Sequence, residues 1–282
     1  MVENRPWVTF LSHLVLLLGV ATVAFPIYVA LMGSTYTLDT LLTGPVPLLP
    51  GHEFLANYTE VLTKGISRSS SPPVGVMLLN STVMALIIAV GKIAISIIAA
   101  YAIVYFEFPL RMTCFWLIFI TLMLPVEVRI LPTYKVVADL GMLDSYAGLT
   151  IPLIASATAT FLFRQFFLSV PDELAEAARI DGAGPIRFFV DILLPLSSTS
   201  IAALFVIQFL YGWNQYIWPL IVTTKQSYYT IVMGLSHLLN VVDVAPAWNL
   251  VMATALLAMI PPVAIVIVMQ RWFVKGLVET EK

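Results

Sequence analysis

The sequence is poor in charge, cysteine and histidine, and each shortage removes a class of function. Only 11% of its 282 residues are charged while 60% are hydrophobic, and the mean hydropathy is +0.96. Soluble domains carry about a quarter of their residues as Asp, Glu, Lys or Arg, so water cannot be the solvent for most of this surface. The net charge of −2 and the absence of any basic run leave no electrostatic footprint for nucleic acid. The single cysteine, Cys114, cannot close an intrachain disulfide, and it leaves the compartment open. His13, His52 and His237 lie far apart and share no ligand spacing with carboxylates, so no metal site is expected. Gly91 and Lys92 hint at a phosphate-binding loop. However, Leu86 stands five residues before Gly91 and Ile93 follows Lys92, so G-x-x-x-x-G-K-[ST] is missing. The chain is therefore expected to bind no ATP by that route and no cofactor. No cluster of Ser, His and Asp suggests a membrane enzyme.

What the sequence does have is long apolar runs. A bilayer crossing needs about 20 such residues, and the chain reads as an all-α integral membrane protein with spans at about 7–33, 76–105, 112–131, 146–168, 199–222 and 248–269. The first run is too long for a signal core and ends without an A-x-A site, which reads as a retained span. Pro26 is expected to kink it, and Pro125 and Pro132 bracket V-E-V-R-I, where the helix should bend or end. Residues 34–75 form the longest hydrophilic interval, with a short helix expected near 54–62, and 223–247 form a second loop. Asp144 and Ser145 are capping candidates for the fourth span.

Lysine and arginine set the orientation. With both termini inside, the inner segments hold Arg5, Arg111, Arg164, Arg179, Arg187, Arg271, Lys275 and Lys282, against Lys64, Arg68, Lys135 and Lys225 outside. The positive-inside bias thus places both termini and the loop 169–198 in the cytoplasm.

That loop is the longest charge-rich, non-spanning segment of the second half. Ser169 is a capping candidate, Pro171 suits the first turn, and Asp172 and Glu173 suit a helix N-terminus. Leu174, Ala177, Ala178 and Asp181 follow on one face, and Gly182 ends the helix. A second helix should start at Pro185, with Phe188, Phe189 and Ile192 on one stripe, Arg187 and Asp191 on the other, and Pro195 closing it.

The arrangement resembles the E-A-A loop of the permease subunits of ATP-binding-cassette importers: E-A-A, three residues, Gly, nine residues, I-x-L-P. Glu176, Ala177, Ala178, Gly182, Ile192, Leu194 and Pro195 match every element at the right spacing, with Asp181 beside them. The resemblance implies a type I importer permease fold and a loop that docks into an ATPase cleft, with ATP and magnesium held by that partner. Beyond the loop, E-N-R-P-W (3–7), I-T-L-M-L-P-V-E-V-R-I (120–130), M-L-D-S-Y-A-G-L-T (142–150), A-S-A-T-A-T-F-L-F-R-Q-F-F (155–167), Y-G-W-N-Q-Y (211–216) and V-M-Q-R (268–271) look like the bacterial sn-glycerol-3-phosphate (Ugp) importers. This similarity covers essentially the whole chain and implies a single inner-membrane domain, 1–282. Its implied partners are a homologous UgpA-type permease as heterodimer, two UgpC-type ATPase subunits and a periplasmic UgpB-type binding protein that delivers glycerol 3-phosphate or glycerophosphodiesters. A sugar or polyol importer of the same architecture is the alternative, because the loop motif does not specify cargo. An ion-coupled secondary transporter is a further alternative, which the loop match disfavours.

Polar residues in the spans need a partner or a wet cavity. Lys92, in the second span, suits either helix packing, the preferred reading, or recognition of an anionic phosphate ester. Glu127 and Arg129 read first as a gate or structural ion pair and second as substrate contacts. Tyr211, Trp213 and Tyr216 suit an interfacial aromatic belt. Asn214 and Gln215, which a belt explains less well, are the leading substrate-path candidates with Tyr211 and Trp213 beside them. Asp172 and Glu176, four apart, would repel unless a partner cation approached.

Overall fold

The structure, a computed structural model, describes residues 6–65, 71–121, 124, 126–240 and 245–279, with side chains for all of these except 6, 126, 127 and 272–279. Among the described residues every regular element is helical. Three helices are long and apolar enough to cross a membrane unbroken, within Trp7–Gly33, Val74–Tyr105 and Trp248–Arg271. Two bent pairs could each make one more. Backbone hydrogen bonding explains the choice of helix, since a segment in hydrocarbon must satisfy its own N–H and C=O groups.

The chain divides into two units, Met1–Val76 with Gly234–Ile260, and Met77–Met233 with Pro261–Lys282. In the first, α1 (Pro6–Gly33) runs through Pro26 without a break, its side chains mostly exposed. The short helices α2 (Leu38–Thr43) and α3 (Phe54–Thr63) follow, the latter where a helix was expected. Buried Asn57 fastens the unit. Its Nδ2 donates to the carbonyls of Ser34 at 2.8 Å and Tyr36 at 2.9 Å, and its Oδ1 accepts from Asn249 Nδ2 at 3.1 Å.

The second unit carries the E-A-A loop. Helix α4 (Val74–Tyr105) is continuous, as expected of the second span. The third expected span is not one helix: α5 (Arg111–Ile120) ends early, residues 122, 123 and 125 lie outside the described set, and α6 (Val126–Asp139) passes through Pro132. Of the bend or end expected at the two prolines, an end does not occur at Pro132, which lies inside α6. In apolar surroundings a broken helix strands backbone groups that a continuous one satisfies, so a proline is absorbed.

The fourth expected span is broken. Helix α7 (Tyr146–Thr150) continues as a 3-10 turn at Ile151–Leu153, and α8 (Ala157–Ser169) leaves at 47°. Serine caps explain both starts: Ser145 Oγ accepts from Gly148 N at 3.1 Å and Ser156 Oγ from Ala159 N at 3.2 Å. Each such cap stabilises by about 1 kcal/mol. The break is also tied across to α4, where Ser96 Oγ donates to the Ser156 carbonyl at 3.1 Å.

After the loop, α11 (Ser198–Trp213) and α12 (Ile217–Val222) share the fifth expected span, separated at 214–216. Asn214 closes α11 with its N–H on the Gly212 and Leu210 carbonyls, and Pro219 sits in the first turn of α12, where its missing N–H costs little. The interval expected to be loop contains α13 (Ile231–Leu239), and α14 (Trp248–Glu279) runs through Pro261 and Pro262 to the tail.

Candidate functional site

The E-A-A loop forms two helices, α9 (Asp172–Ile180) and α10 (Pro185–Leu196), with Gly182 between them at φ +74°. Only glycine adopts that left-handed conformation without a Cβ penalty. The start of α9 differs from expectation. Pro171 is the N-cap, and Ser169 Oγ donates to the Phe166 carbonyl at 2.7 Å, which ties it to α8 instead. Asp172 and Glu173 occupy the first turn and Arg179 the last, which suits the helix macrodipole.

The two faces of α9 fall elsewhere than the spacing suggested. Ala178 is buried, with Ala175 and Ala183 packed beside it, whereas Leu174, Glu176, Ala177 and Asp181 are exposed. Helix α9 therefore rests on an inward alanine face and presents a mixed acidic and apolar face outward. Ile180 is 85% exposed and Ile186 is 79% exposed, an apolar pair that the sequence reading did not single out. Glu176 and Asp172 form no ion pair within the chain among the described residues.

Helix α10 starts at Pro185 as expected but does not close at Pro195. It widens into a π turn over Phe189–Leu193, continues to Leu196, and turns by 71° into α11. Pro195 sits where the π turn gives way to the last short helical stretch, so its missing N–H falls at that change of hydrogen-bond register. The aromatic stripe is covered by the chain's own bundle. Phe188 is buried with Leu193, Phe163 and Phe167, and Phe189 and Ile192 pack at the margin with Leu194. Tyr105 meets Phe188 edge-on at 5.3 Å, Tyr101 meets Phe189 at 4.8 Å, and Tyr101 Oη donates to the Pro185 carbonyl at 2.8 Å. Burying one such phenylalanine stabilises by about 1.5–3 kcal/mol, and each ring pair adds about 0.5–1.5 kcal/mol. Arg187 and Asp191 pair on the wet side at 3.3 Å.

The polar residues within the spans are only partly gathered. Lys92 is 6% exposed; its Nζ donates to Gln208 Oε1 at 3.1 Å and lies 3.5 Å from the centroid of the Tyr211 ring. A cation over a desolvated ring gains about 2 kcal/mol. Gln208, 5% exposed, was not anticipated. It lies inside the apolar run I-A-A-L-F-V-I-Q-F-L, where a single uncharged polar residue at that depth was the available signal. The two helices approach closely here, since a Cβ on Gly212 would stand 2.9 Å from the Ala85 Cα. Trp213 is buried and stacked on Phe209 at 5.9 Å, a packing role. Asn214 is exposed at the end of α11, and Gln215 Nε2 donates to the Tyr211 carbonyl at 3.1 Å. Arg129 is exposed on α6, and the Glu127 side chain lies outside the described residues. The substrate-path candidates thus do not form one cluster among the described residues: Lys92 and Tyr211 meet, while Asn214 and Gln215 lie beyond them along the chain.

The profile of the family described as the binding-protein-dependent transport system inner membrane component matches residues 92–279. The chain belongs to that family. It is accordingly a multi-pass inner-membrane component of a transport system, and the family is one of transport permeases and not of ATPases. The permease is 60% identical over its full length, and that of the relative, to the sn-glycerol-3-phosphate transport system permease protein UgpE of Agrobacterium fabrum. It is 59% identical over full length to the same-named protein of Rhizobium meliloti, and 57% identical to that of Escherichia coli O157:H7. A crystal structure of a bacterial ABC transporter involved in the import of the acidic polysaccharide alginate contains a chain of the same fold, with TM-score 0.81, 20% identity, and coverage of 97% of this permease and 99% of that chain.

The end of the second unit away from the E-A-A loop is fastened by hydrogen bonds. Asp144 accepts from Thr224 N at 2.6 Å, Lys225 N at 2.8 Å and Thr224 Oγ1 at 2.7 Å. The Lys225 amide, aided by Thr224, holds its carboxyl below the usual carboxylate range. Asn80 Nδ2 donates to the carbonyls of Ser227 and Tyr229, and Tyr146 Oη donates to Asn80 Oδ1 at 2.6 Å. Trp218 Nε1 donates to the Gly148 carbonyl at 3.1 Å beneath a cluster of Met84, Ile88, Val137, Leu149 and Val222. Asp144 was expected to cap; Ser145 caps, and Asp144, at φ +53°, instead anchors the chain after α12.

Proposed function

We propose that the chain is the transmembrane permease subunit of an ATP-driven, binding-protein-dependent importer that moves sn-glycerol 3-phosphate, glycerophosphodiesters or both across the inner membrane. The observation that carries this reading is the E-A-A loop: a docked two-helix element with an exposed outer face, matched at seven motif positions and continuous with a helix of the bundle. The cargo follows the relatives at 57% to 60% identity, which are sn-glycerol-3-phosphate permeases over their whole length.

In this reading residues 1–282 form one membrane domain of the type I importer arrangement, crossing six times with both termini in the cytoplasm. The positive-inside count supports that orientation. A UgpA-type permease completes the channel, two UgpC-type subunits supply ATP hydrolysis, and a UgpB-type periplasmic protein delivers cargo. The chain performs no bond chemistry and holds no cofactor; ATP and magnesium belong to the ATPase partners. Glu176, Ala177, Ala178, Asp181, Gly182, Ile192, Leu194 and Pro195 make the coupling element. Glu176, Ala177 and Asp181 face the ATPase, while Ala178, Ile192 and Leu194 seat the element on the bundle. Asn214, Gln215, Tyr211, Trp213, Lys92, Glu127 and Arg129 belong to the path or its walls. Closure of the ATPase dimer drives the loop, and the helices open alternately to either side.

The test is ATP hydrolysis by the purified four-component complex in lipid, with binding protein and either sn-glycerol 3-phosphate or a neutral sugar. Stimulation by the phosphate ester alone supports the reading. Stimulation by the sugar alone leaves an importer and removes the cargo.

A further inference from the structure

Lys92 stands near the middle of a 32-residue helix, where an ammonium is costly and a methionine would fill the space without charge. Among the described residues no carboxylate pairs with it. Its neighbours are the Gln208 amide oxygen and the Tyr211 ring face, one helical turn apart on α11. Among the described residues Lys92 is thus a buried cation without a carboxylate partner, and an anion from outside the chain would answer it.

Gln208 and Tyr211 also belong to the moving element of the proposed mechanism. Helix α11 continues from α10 through the 71° bend, so a displacement of the E-A-A loop would reach Gln208 and Tyr211 through α11. We propose that Lys92 is a shielded anion-binding group on the translocation path, held by Gln208 and Tyr211 in this conformation and handed to the cargo phosphate when α11 shifts. The proposal rests on the importer reading above. It adds Gln208, as the residue that competes with cargo for the ammonium.

The test uses the complete complex in proteoliposomes, measuring uptake of sn-glycerol 3-phosphate together with ATP hydrolysis stimulated by the loaded binding protein. Lys92→Met is expected to lower uptake kcat/KM by roughly tenfold, the scale of one hydrogen bond to a charged group, while stimulated hydrolysis persists. Lys92→Arg should recover most of the uptake. Gln208→Leu should lower the KM, because the competing acceptor is gone. Uptake by Lys92→Met equal to the natural chain overturns the proposal. So does parallel loss of uptake and hydrolysis in both Lys92 variants, which marks a packing role. A natural complex that hydrolyses ATP for a neutral cargo and takes up no glycerol 3-phosphate removes the cargo reading, and this proposal falls with it.

Discussion

The two ends of the second unit are held together by different forces. At the E-A-A end, Phe188, Leu193, Phe163 and Phe167 pack with Tyr101 and Tyr105, and the Tyr101 bond to Pro185 is a directional fastening from α4 to α10. At the other end Asp144, Asn80, Tyr146 and Trp218 each make hydrogen bonds across long stretches of chain. Apolar contact is non-directional and lets surfaces slide with modest loss. Hydrogen bonds fix register, and a broken one strands a buried partner. The difference assigns motion to the aromatic end and anchorage to the polar end.

Four substitutions sharpen that contrast, in falling order of effect. Phe188→Ala empties a buried aromatic site and should destabilise the permease by about 3–5 kcal/mol, read as a lowered midpoint of thermal unfolding in detergent. Asn80→Leu strands the Ser227 and Tyr229 carbonyls and the Tyr146 hydroxyl; a loss of about 2–3 kcal/mol is expected, with faster amide exchange across 223–230. Equal exchange there in both variants would erase the distinction between the ends.

Asp144→Asn should cost less, about 1 kcal/mol, because the carboxylate is solvent-exposed. Its folded-state pKa is depressed, so its contribution is complete above the ordinary carboxylate value of about 3.9 and is lost as pH falls through the lower folded value. Unfolding profiles of the natural chain and the variant should therefore differ at neutral pH and converge below about pH 4. The smallest effect belongs to Arg187→Ala. Its ion pair with Asp191 is exposed on both sides, and a change within about 0.5 kcal/mol is expected.

Sequence legibility follows the same division. Long apolar runs announce α1, α4 and α14, because length and composition alone decide whether a helix can span. The E-A-A loop was legible through its charge, its glycine and its prolines. The break at 154–156 was not, since Ile-Ala-Ser differs little in hydropathy from its flanks and the break depends on the cap that Ser156 makes. At 214–216 Asn214 and Gln215 mark a polar dip, which reads in the sequence as a substrate path and not as a helix end. Which face of α9 turns inward was also hidden: alanines occupy both faces, and the bundle's aromatic floor decides between Ala178 and Ala177. Gln208 escaped notice because its role depends on Lys92, 116 positions away.

The most direct test of the account replaces the hinge between the coupling helices. A Cβ at Gly182 meets nothing within 4 Å, so Gly182→Asp acts through the φ of +74° and its added charge, without a clash. Gly184→Ala, at φ −73° and equally open, is the matched control. The account predicts that both variants assemble with their partners, that Gly184→Ala hydrolyses ATP in response to loaded binding protein as the natural complex does, and that Gly182→Asp loses that response. An assembled Gly182→Asp complex with a full response would contradict the claim that this loop couples ATP hydrolysis to the membrane helices.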